Sequence, residues 1–417
     1  LINKGLKFIT SHSDTEVVLK GIMHYGLDFI KKLRGMFSIV YLDKKNKKIY
    51  MVRDRLGQKP LYYKFTKNQI LFASNLKALL KLDTEKELNF EKVNEYIKLG
   101  IVSSPDTIFK NYFKVKPSQI IEIDYSNSEY EINKTNYWNP EDYLDNKKFH
   151  KEEFFDLFNE SVGLRLEADV PVATFLSGGL DSSSIVKTLY DMGKEVNTFS
   201  VTLDNKNYDE RKWSKLVSSQ YKTQHKSVNI SSKISFSDIH ESLNSLDEPY
   251  ADPSVVPSFL LSKEISSLFK VAISGDGGDE LLGGYLRTRE TLKNKNKINQ
   301  QISKLYGLYP SFLGTGNFFL SKSNDITLSY NSFLEDNKLL KLLGIEEGDI
   351  DNPIRIDKSI EPYKSLLLAD YSFYLPEMMM FKVDRTSMAN SLEVRSPFVD
   401  HKLIEYIFSH TTDYFDP

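Results

Sequence analysis

Phe175-Leu-Ser-Gly-Gly-Leu-Asp-Ser-Ser-Ser184 is the stretch whose reading decides the fold of this chain. It follows the apolar run Val170-Pro-Val-Ala-Thr-Phe-Leu176 and leads into Ile185-Val-Lys-Thr-Leu-Tyr-Asp-Met192, the pattern of a buried strand, a small-residue turn and a helix start. A helix N-terminus leaves backbone N–H groups unpaired and carries partial positive charge, so it favours anions. Gly178 and Gly179 let the backbone close around such an anion, while Ser177, Ser182 and Ser183 add hydroxyl donors. A carboxylate at Asp181, beside a phosphate cradle, makes sense mainly with a divalent cation between them. The turn therefore reads as a pyrophosphate-binding loop. It matches neither G-x-x-x-x-G-K-[S/T] nor G-x-G-x-x-G, and the competing reading is an ordinary Gly/Ser loop.

Outward from this turn, the pattern predicts a largely parallel, doubly wound sheet. Strands are expected at 170–176, 196–203, 226–230 and 270–274, with helical stretches between them. Phe154, Phe155, Phe158, Val162 and Leu166 recur at helical spacing just before it. In such sheets ligands sit outside the carboxyl ends of the strands, where Ser177 and Ser274 fall. The first part of the chain reads differently. A helix from Asp14 to Leu33, broken near Gly26, precedes short β-rich runs at 37–42, 48–52, 61–65, 69–73, 119–123 and 130–132. The polar stretch 139–148 is the expected boundary, giving domains at 1–138 and 150–417. Lys293 to Gln301 reads as a solvated connection.

Composition narrows the partners. At 417 residues the chain has room for two cores; 40% hydrophobic and 27% charged residues are ordinary for a globular protein. A net charge of −2 argues against a nucleic-acid or anionic-membrane surface. The absence of cysteine excludes disulfides, zinc–thiolate sites and a cysteine nucleophile within these residues. No apolar run approaches about 18 residues, so no membrane span is expected. With no visible secretory signal, the expected location is cytoplasmic. The first residue is not Met, and both ends read as cut from a longer protein.

Two further segments carry chemistry. Ile273-Ser-Gly-Asp-Gly-Gly-Asp-Glu-Leu-Leu-Gly-Gly-Tyr285 is a strand running into a glycine- and acid-rich turn. Carboxylates crowded at a strand end repel one another unless a cation offsets them. Asp279 could thus complete, with Asp181, a magnesium site bridging phosphate oxygens, and Ser274 and Gly275 could pass close to a nucleotide base or ribose. The alternative is an acidic surface turn. In 375–400, Met378 to Met380 read as core packing. Lys382 and Arg385 share a helix face beside Asp384; this is either a solvated charge triplet or the fixed cations that phosphoryl chemistry needs.

Taken together, these segments resemble the glutamine-dependent asparagine synthetase family, in family order and over nearly the whole chain. The resemblance implies an adenine-nucleotide hydrolase-like synthetase domain that uses ATP and Mg2+ to convert aspartate to β-aspartyl-AMP and pyrophosphate, before ammonia displaces AMP. It implies that Ser177, Gly178, Gly179, Asp181, Ser182 and Ser183 form the pyrophosphate loop, that Leu176, Val201, Ser274 and Gly275 contact ATP, and that Asp181 and Asp279 bind magnesium. Lys382 would stabilise the adenylation transition state. Asp276 stands where some members have a glutamate of the ammonia step. Glu248-Pro-Tyr-Ala-Asp-Pro-Ser254 is similar to a family segment near the substrate pocket, without an assigned role.

The first 138 residues resemble the later part of the family's glutaminase domain, an N-terminal-nucleophile αββα fold, with Asp14 matching the ligand of the glutamine α-amino group. Segments 33–40 and 53–63 match stretches joining that domain to the ATP site. The family nucleophile is an N-terminal cysteine, so the chain as it stands is expected not to hydrolyse glutamine. Expected partners are small molecules, and a homodimer is compatible with the reading. Competing readings are a related amidotransferase acting on a sugar or antibiotic-precursor carboxylate, a tRNA-modifying enzyme sharing the loop, and a non-catalytic nucleotide binder. The charge and missing cysteines argue against the second; Asp181, Asp279 and Lys382 together argue against the third.

Overall fold

The computed structural model describes residues 1–417 apart from 68, 83–85, 128, 203–209, 231–233, 294–296, 311–312, 346–349, 351 and 416–417. Its first helix, Asp14–Tyr25, starts where Ser13 Oγ accepts the Glu16 N–H at 3.2 Å, and Asp14 and Glu16 complement the positive helix end. The helix stops at Gly26, whose φ of +66° an L side chain rarely adopts, and a 3-10 turn continues to Lys32. The expected break near Gly26 is present.

Among the described residues seven strands follow: β1 (Ser38–Asp43), β2 (Lys48–Arg53), β3 (Tyr62–Phe65), β4 (Ile70–Ala73), β5 (Phe113–Lys114), β6 (Gln119–Asp124) and β7 (Glu131–Asn136). They form two antiparallel sheets, ordered β1-β2-β6-β7 and β4-β3-β5. Strand alternation sends Met51, Ile121 and Ile123 from one sheet against Tyr63 of the other. Val52 and Ile120 face the opposite way, onto Ile22, Phe29 and Ile30. Beyond the second sheet, Tyr62 packs on Leu76 and Leu79 of helix Leu76–Lys81. The layers therefore run helix, sheet, sheet, helix. The two-residue β5 escaped the sequence pattern, because two residues carry no detectable alternation.

The rest of the chain holds a five-stranded parallel sheet of β8 (Val172–Phe175), β9 (Asn197–Thr202), β10 (Gln224–Asn229), β11 (Val271–Ile273) and β12 (Glu393–Arg395). Its order is β10-β9-β8-β11-β12. The chain winds outward from β8 through β9 to β10, then returns to place β11 on the other side of β8. That reversal is the topological switch point of the sheet. Position 203, the end of the expected second strand, lies outside the described residues. Ala173, Phe199, Ala272 and Val394 pack one face against Leu261 and Ile265 of helix Val255–Ser266. The other face receives Ile185, Val186 and Leu189 of helix Leu180–Asp191.

Two expectations need correction. Helix Lys151–Arg165 buries Phe154, Phe158 and Val162, but Phe155 is 42% exposed and Leu166 lies just beyond the helix end. The face toward the core is narrower than the sequence stripe. Within the stretch 293–301, a helix spans Lys297–Lys304, and 294–296 lie outside the described residues. Pro362–Ala369, a π-helical stretch Asp370–Met380 and Phe381–Met388 form one continuous rod. The wider π turn accommodates Pro376. Among the described residues, no helix is long and apolar enough to cross a membrane.

Candidate active site

Because β8 and β11 are neighbours, pairing Ala173 with Ala272 and Thr174 with Ile273, the two glycine-rich turns leave the sheet side by side. Leu176 is held by its N–H to Phe199 O at 2.7 Å. Ser177 Oγ accepts the Gly179 N–H at 3.1 Å and lies 3.1 Å from Ser182 Oγ, which knits the loop to the first helical turn. Gly179 caps helix Leu180–Asp191 without a side-chain bond, so the first N–H groups of that helix are not tied up by their cap residue. Gly178 has φ +90°, and a Cβ there would stand 2.5 Å from the backbone carbon of Trp213. Glycine is thus required by conformation and by the close approach of helix Arg211–Gln220.

The second turn is as tightly fitted. A Cβ on Gly275 would meet Asp181 Cβ at 3.2 Å, and one on Gly278 would meet Asp181 Cγ at 2.5 Å. The carboxylate of Asp181 therefore lies against the second turn. Asp279, in the first turn of the short helix Gly278–Leu282, lines the same cavity. Burial, then the negative charges of Asp279 and Asp276, push the Asp181 carboxyl up to about 6. Burial also raises Asp279, against the opposing pull of Arg287 and Arg289. Two buried neighbouring acids concentrate negative charge that a bound cation would offset.

A cavity of about 310 Å³ opens at this switch point. Leu176, Ser177, Gly179, Asp181, Ser182, Val201, Ser274, Gly275, Asp276 and Asp279 line it. Ten positions from three separate sequence stretches thus meet. Gly178 and Ser183 belong to the same loop but not to the lining, and the buried hydroxyls of Ser183 and Ser274 have no hydrogen-bond partner among the described residues. Unpaired buried hydroxyls beside a polar cavity fit a ligand rich in acceptors.

The matches to known families agree with this architecture. The asparagine synthase model matches residues 153–414, and the glutamine amidotransferase domain model matches residues 1–138. The chain belongs to the asparagine synthase family. It is 38% identical over 283 residues to a putative glutamine-hydrolysing asparagine synthetase 2 of Methanocaldococcus jannaschii, covering 66% of this chain and 54% of that protein. With the glutamine-hydrolysing asparagine synthetase 1 of Bacillus subtilis it shares 29% over 427 residues, 95% of this chain and 65% of the relative. A protein called amidase chry2 from Gibberella zeae is 27% identical over 458 residues, 96% of this chain and 66% of its own. The chain thus spans roughly half to two thirds of the length of these relatives.

In this member of the asparagine synthase family, the N-terminal third with its two antiparallel sheets is the glutamine amidotransferase domain, followed by the parallel synthetase domain. Membership implies ATP use. The carboxylates present suit the expected magnesium. Among the described residues no group of three or more His, Asp or Glu side chains is gathered to hold a metal, but Asp181 and Asp279 share the cavity, and Mg2+ commonly takes one or two carboxylates plus substrate phosphates.

Lys382 departs from the simplest expectation. It lies one layer behind the cavity wall, its Nζ 3.6 Å from Sδ of the wall residue Met379, 2.9 Å from Ser254 Oγ and 3.2 Å from Asp252 Oδ2. Burial would raise Asp252, but the Lys382 charge and the Ser254 N–H outweigh it and hold that carboxyl below its ordinary value. Arg385 does not join Lys382 at the site; it turns to Asp247 at 2.7 Å and to Ser74 O at 2.7 Å. Met379 lines the cavity and Met380 is core, so the methionine run divides between the two.

Sequence reading missed Glu210, Glu280 and Tyr285, which also line the cavity. Burial first, then Asp370, pushes Glu280 up to about 8, and the Tyr285 hydroxyl donates to it at 2.8 Å. Glu280 was visible as the last acid of the second turn, but nothing in a sequence tells which acid of a cluster is buried. Asp14 lies apart, on a cavity of about 710 Å³ with Leu1, Phe8, Thr10, Ser13 and Val17. Its Oδ1 accepts the Thr15 N–H at 2.6 Å.

Proposed function

We propose that this chain carries an ATP-dependent amide synthetase that converts aspartate to asparagine through β-aspartyl-AMP, with residues 150–417 as its synthetase part and 1–138 as its glutaminase part. A side-chain carboxylate oxygen of aspartate attacks the α-phosphorus, the bond to the bridging oxygen breaks, and pyrophosphate leaves. Ammonia then attacks the acyl carbon and loses a proton, and AMP departs. The observation that carries this reading is the meeting of the 176–183 and 274–280 turns at the β8–β11 switch point. N–H groups and hydroxyls of Ser177, Gly178, Gly179, Ser182 and Ser183 would cradle pyrophosphate. Leu176, Val201, Ser274 and Gly275 would line the nucleotide.

Asp181 and Asp279 would hold Mg2+, which supplies charge neutralisation on phosphate oxygens. Lys382, buttressed by Asp252 and Ser254, is the proposed fixed cation for the transition state. Asp276 lines the cavity and is proposed for the ammonia step. Asp14 would bind the glutamine α-amino group in the complete protein, where glutamine supplies the ammonia. The proposed location is cytoplasmic.

A second reading keeps the chemistry and changes the acceptor, and the relative called an amidase favours keeping it. One assay separates them: pyrophosphate release from ATP with magnesium and ammonium, across aspartate and a panel of other carboxylic acids. Aspartate-dependent release is expected. Release that responds to another acid and ignores aspartate would overturn the asparagine assignment.

A further inference from the structure

Residues 246–252 have no helix or strand of their own, so their course is set by what grips them. Nearly every grip comes from the glutamine amidotransferase domain or from the rod that carries Lys382. Asp247 Oδ2 accepts the Leu76 N–H at 3.4 Å and pairs with Arg385 at 2.7 Å. Glu248, 5% exposed, takes Lys114 Nζ at 3.2 Å and the Tyr62 hydroxyl at 3.3 Å on one oxygen, and the Ile108 N–H at 3.4 Å on the other. The Tyr250 hydroxyl donates to Met378 O at 2.8 Å, and Ala251 N donates to Gly100 O at 2.9 Å. The segment ends at Asp252 and Ser254, which hold Lys382.

We propose that Glu248 is a positioning residue: clamped by Lys114 and Tyr62 of the N-terminal domain, it fixes the strap 247–254 and thereby the orientation of Lys382. The physical reason is that an irregular segment lacks a backbone ladder to resist displacement. Removing one buried anchor lets its far end move, and a shift of about 1 Å at a reacting group is enough to lower a rate severely. Glu377 strengthens the arrangement from the rod side. It lies 3.7 Å from Lys114 and accepts the Ser104 hydroxyl, so one lysine of the first domain faces both the strap and the rod. The N-terminal domain thus sets the adenylation geometry as well as its own.

The proposal rests on the reading of Lys382 given above, and its test separates the two. Glu248→Gln, Tyr62→Phe and Lys382→Ala are compared with the parent chain in ammonium-dependent pyrophosphate release. In parallel, the rate at which Lys382 is acetylated by an N-hydroxysuccinimide ester, without substrates, is read by peptide mass spectrometry. Glu248→Gln is expected to lower kcat about tenfold while the KM for ATP moves less than about threefold, and to speed acetylation of Lys382 severalfold. Tyr62→Phe, which deletes one hydroxyl, moves both readings in the same direction by less and serves alone should Glu248→Gln not fold. Unchanged kcat and unchanged acetylation in the folded variants overturn the proposal. Full activity in Lys382→Ala overturns the role of Lys382 instead, while faster acetylation in Glu248→Gln would still uphold the strap.

Discussion

Lys382 Nζ sits 2.9 Å from Ser254 Oγ, so the cation proposed for the transition state is aimed by a hydroxyl from a different stretch of chain. A group held this way costs little to reorganise during the reaction, which is the condition for electrostatic catalysis. Replacing it by alanine is expected to lower kcat for pyrophosphate release by roughly 100-fold or more, with the KM for ATP changed only a few-fold. Steady-state kinetics at saturating ammonium measures both. An unchanged kcat removes Lys382 from the chemistry.

The two buried carboxylates of Asp181 and Asp279 lead to a metal prediction. With Asp279→Asn, one of the two proposed ligands loses its charge, and half-saturation by Mg2+ should rise at least about tenfold. Titrating magnesium at fixed ATP reads this directly. Equal half-saturation in parent and variant would place the cation elsewhere. Chelation of divalent ions should abolish pyrophosphate release in the parent chain.

Gly178 tests the loop itself. Gly178→Ala must adopt φ near +90° and push its methyl into Trp213 and Ser214, at 2.5–2.6 Å. The strain is expected to cost about 1–3 kcal/mol of stability, and displacement of helix Arg211–Gln220 should weaken ATP binding. Denaturant unfolding and ATP titration calorimetry check the two effects. A variant matching the parent in both would show that the loop tolerates a side chain.

His401 predicts a pH dependence unrelated to catalysis. It opens helix His401–Ser409, and burial, followed by the nearby Arg55 charge, pulls it down to about 4. The folded state therefore binds its proton less readily than the unfolded chain. Its stabilisation is present above about pH 6.5 and is lost as pH falls toward 4, by about 3 kcal/mol at most. Against His401→Gln, the parent chain should lose stability across that window in urea unfolding. A constant difference from pH 7 to 4 contradicts the assignment.

Much of this site was legible before folding. Ser177–Ser183 and Ser274–Glu280 announced themselves through strand–glycine–helix patterns, because a close phosphate approach demands small residues and local donors within one short stretch. The helix break at Gly26 was equally local, since a positive φ is a property of one residue. Lys382 was found as a residue, but its position behind Met379 was not. Arg385 was misplaced, because three-residue spacing puts two side chains on one helix face without saying which neighbour each will meet. β5 and β12 were missed for want of length.

By itself, then, the sequence determined the local devices: the loops, the caps, the alternation of strands and the residue types that phosphate and magnesium chemistry needs. Tertiary structure decided their company. Only the sheet order puts β11 beside β8, bringing Asp181 against Gly278 across nearly a hundred residues of intervening chain. Only the packing of the two domains clamps Glu248 between Lys114 and Tyr62. Burial then selects which acids resist ionisation, since the cost of desolvating a charge depends on neighbours that no local pattern encodes.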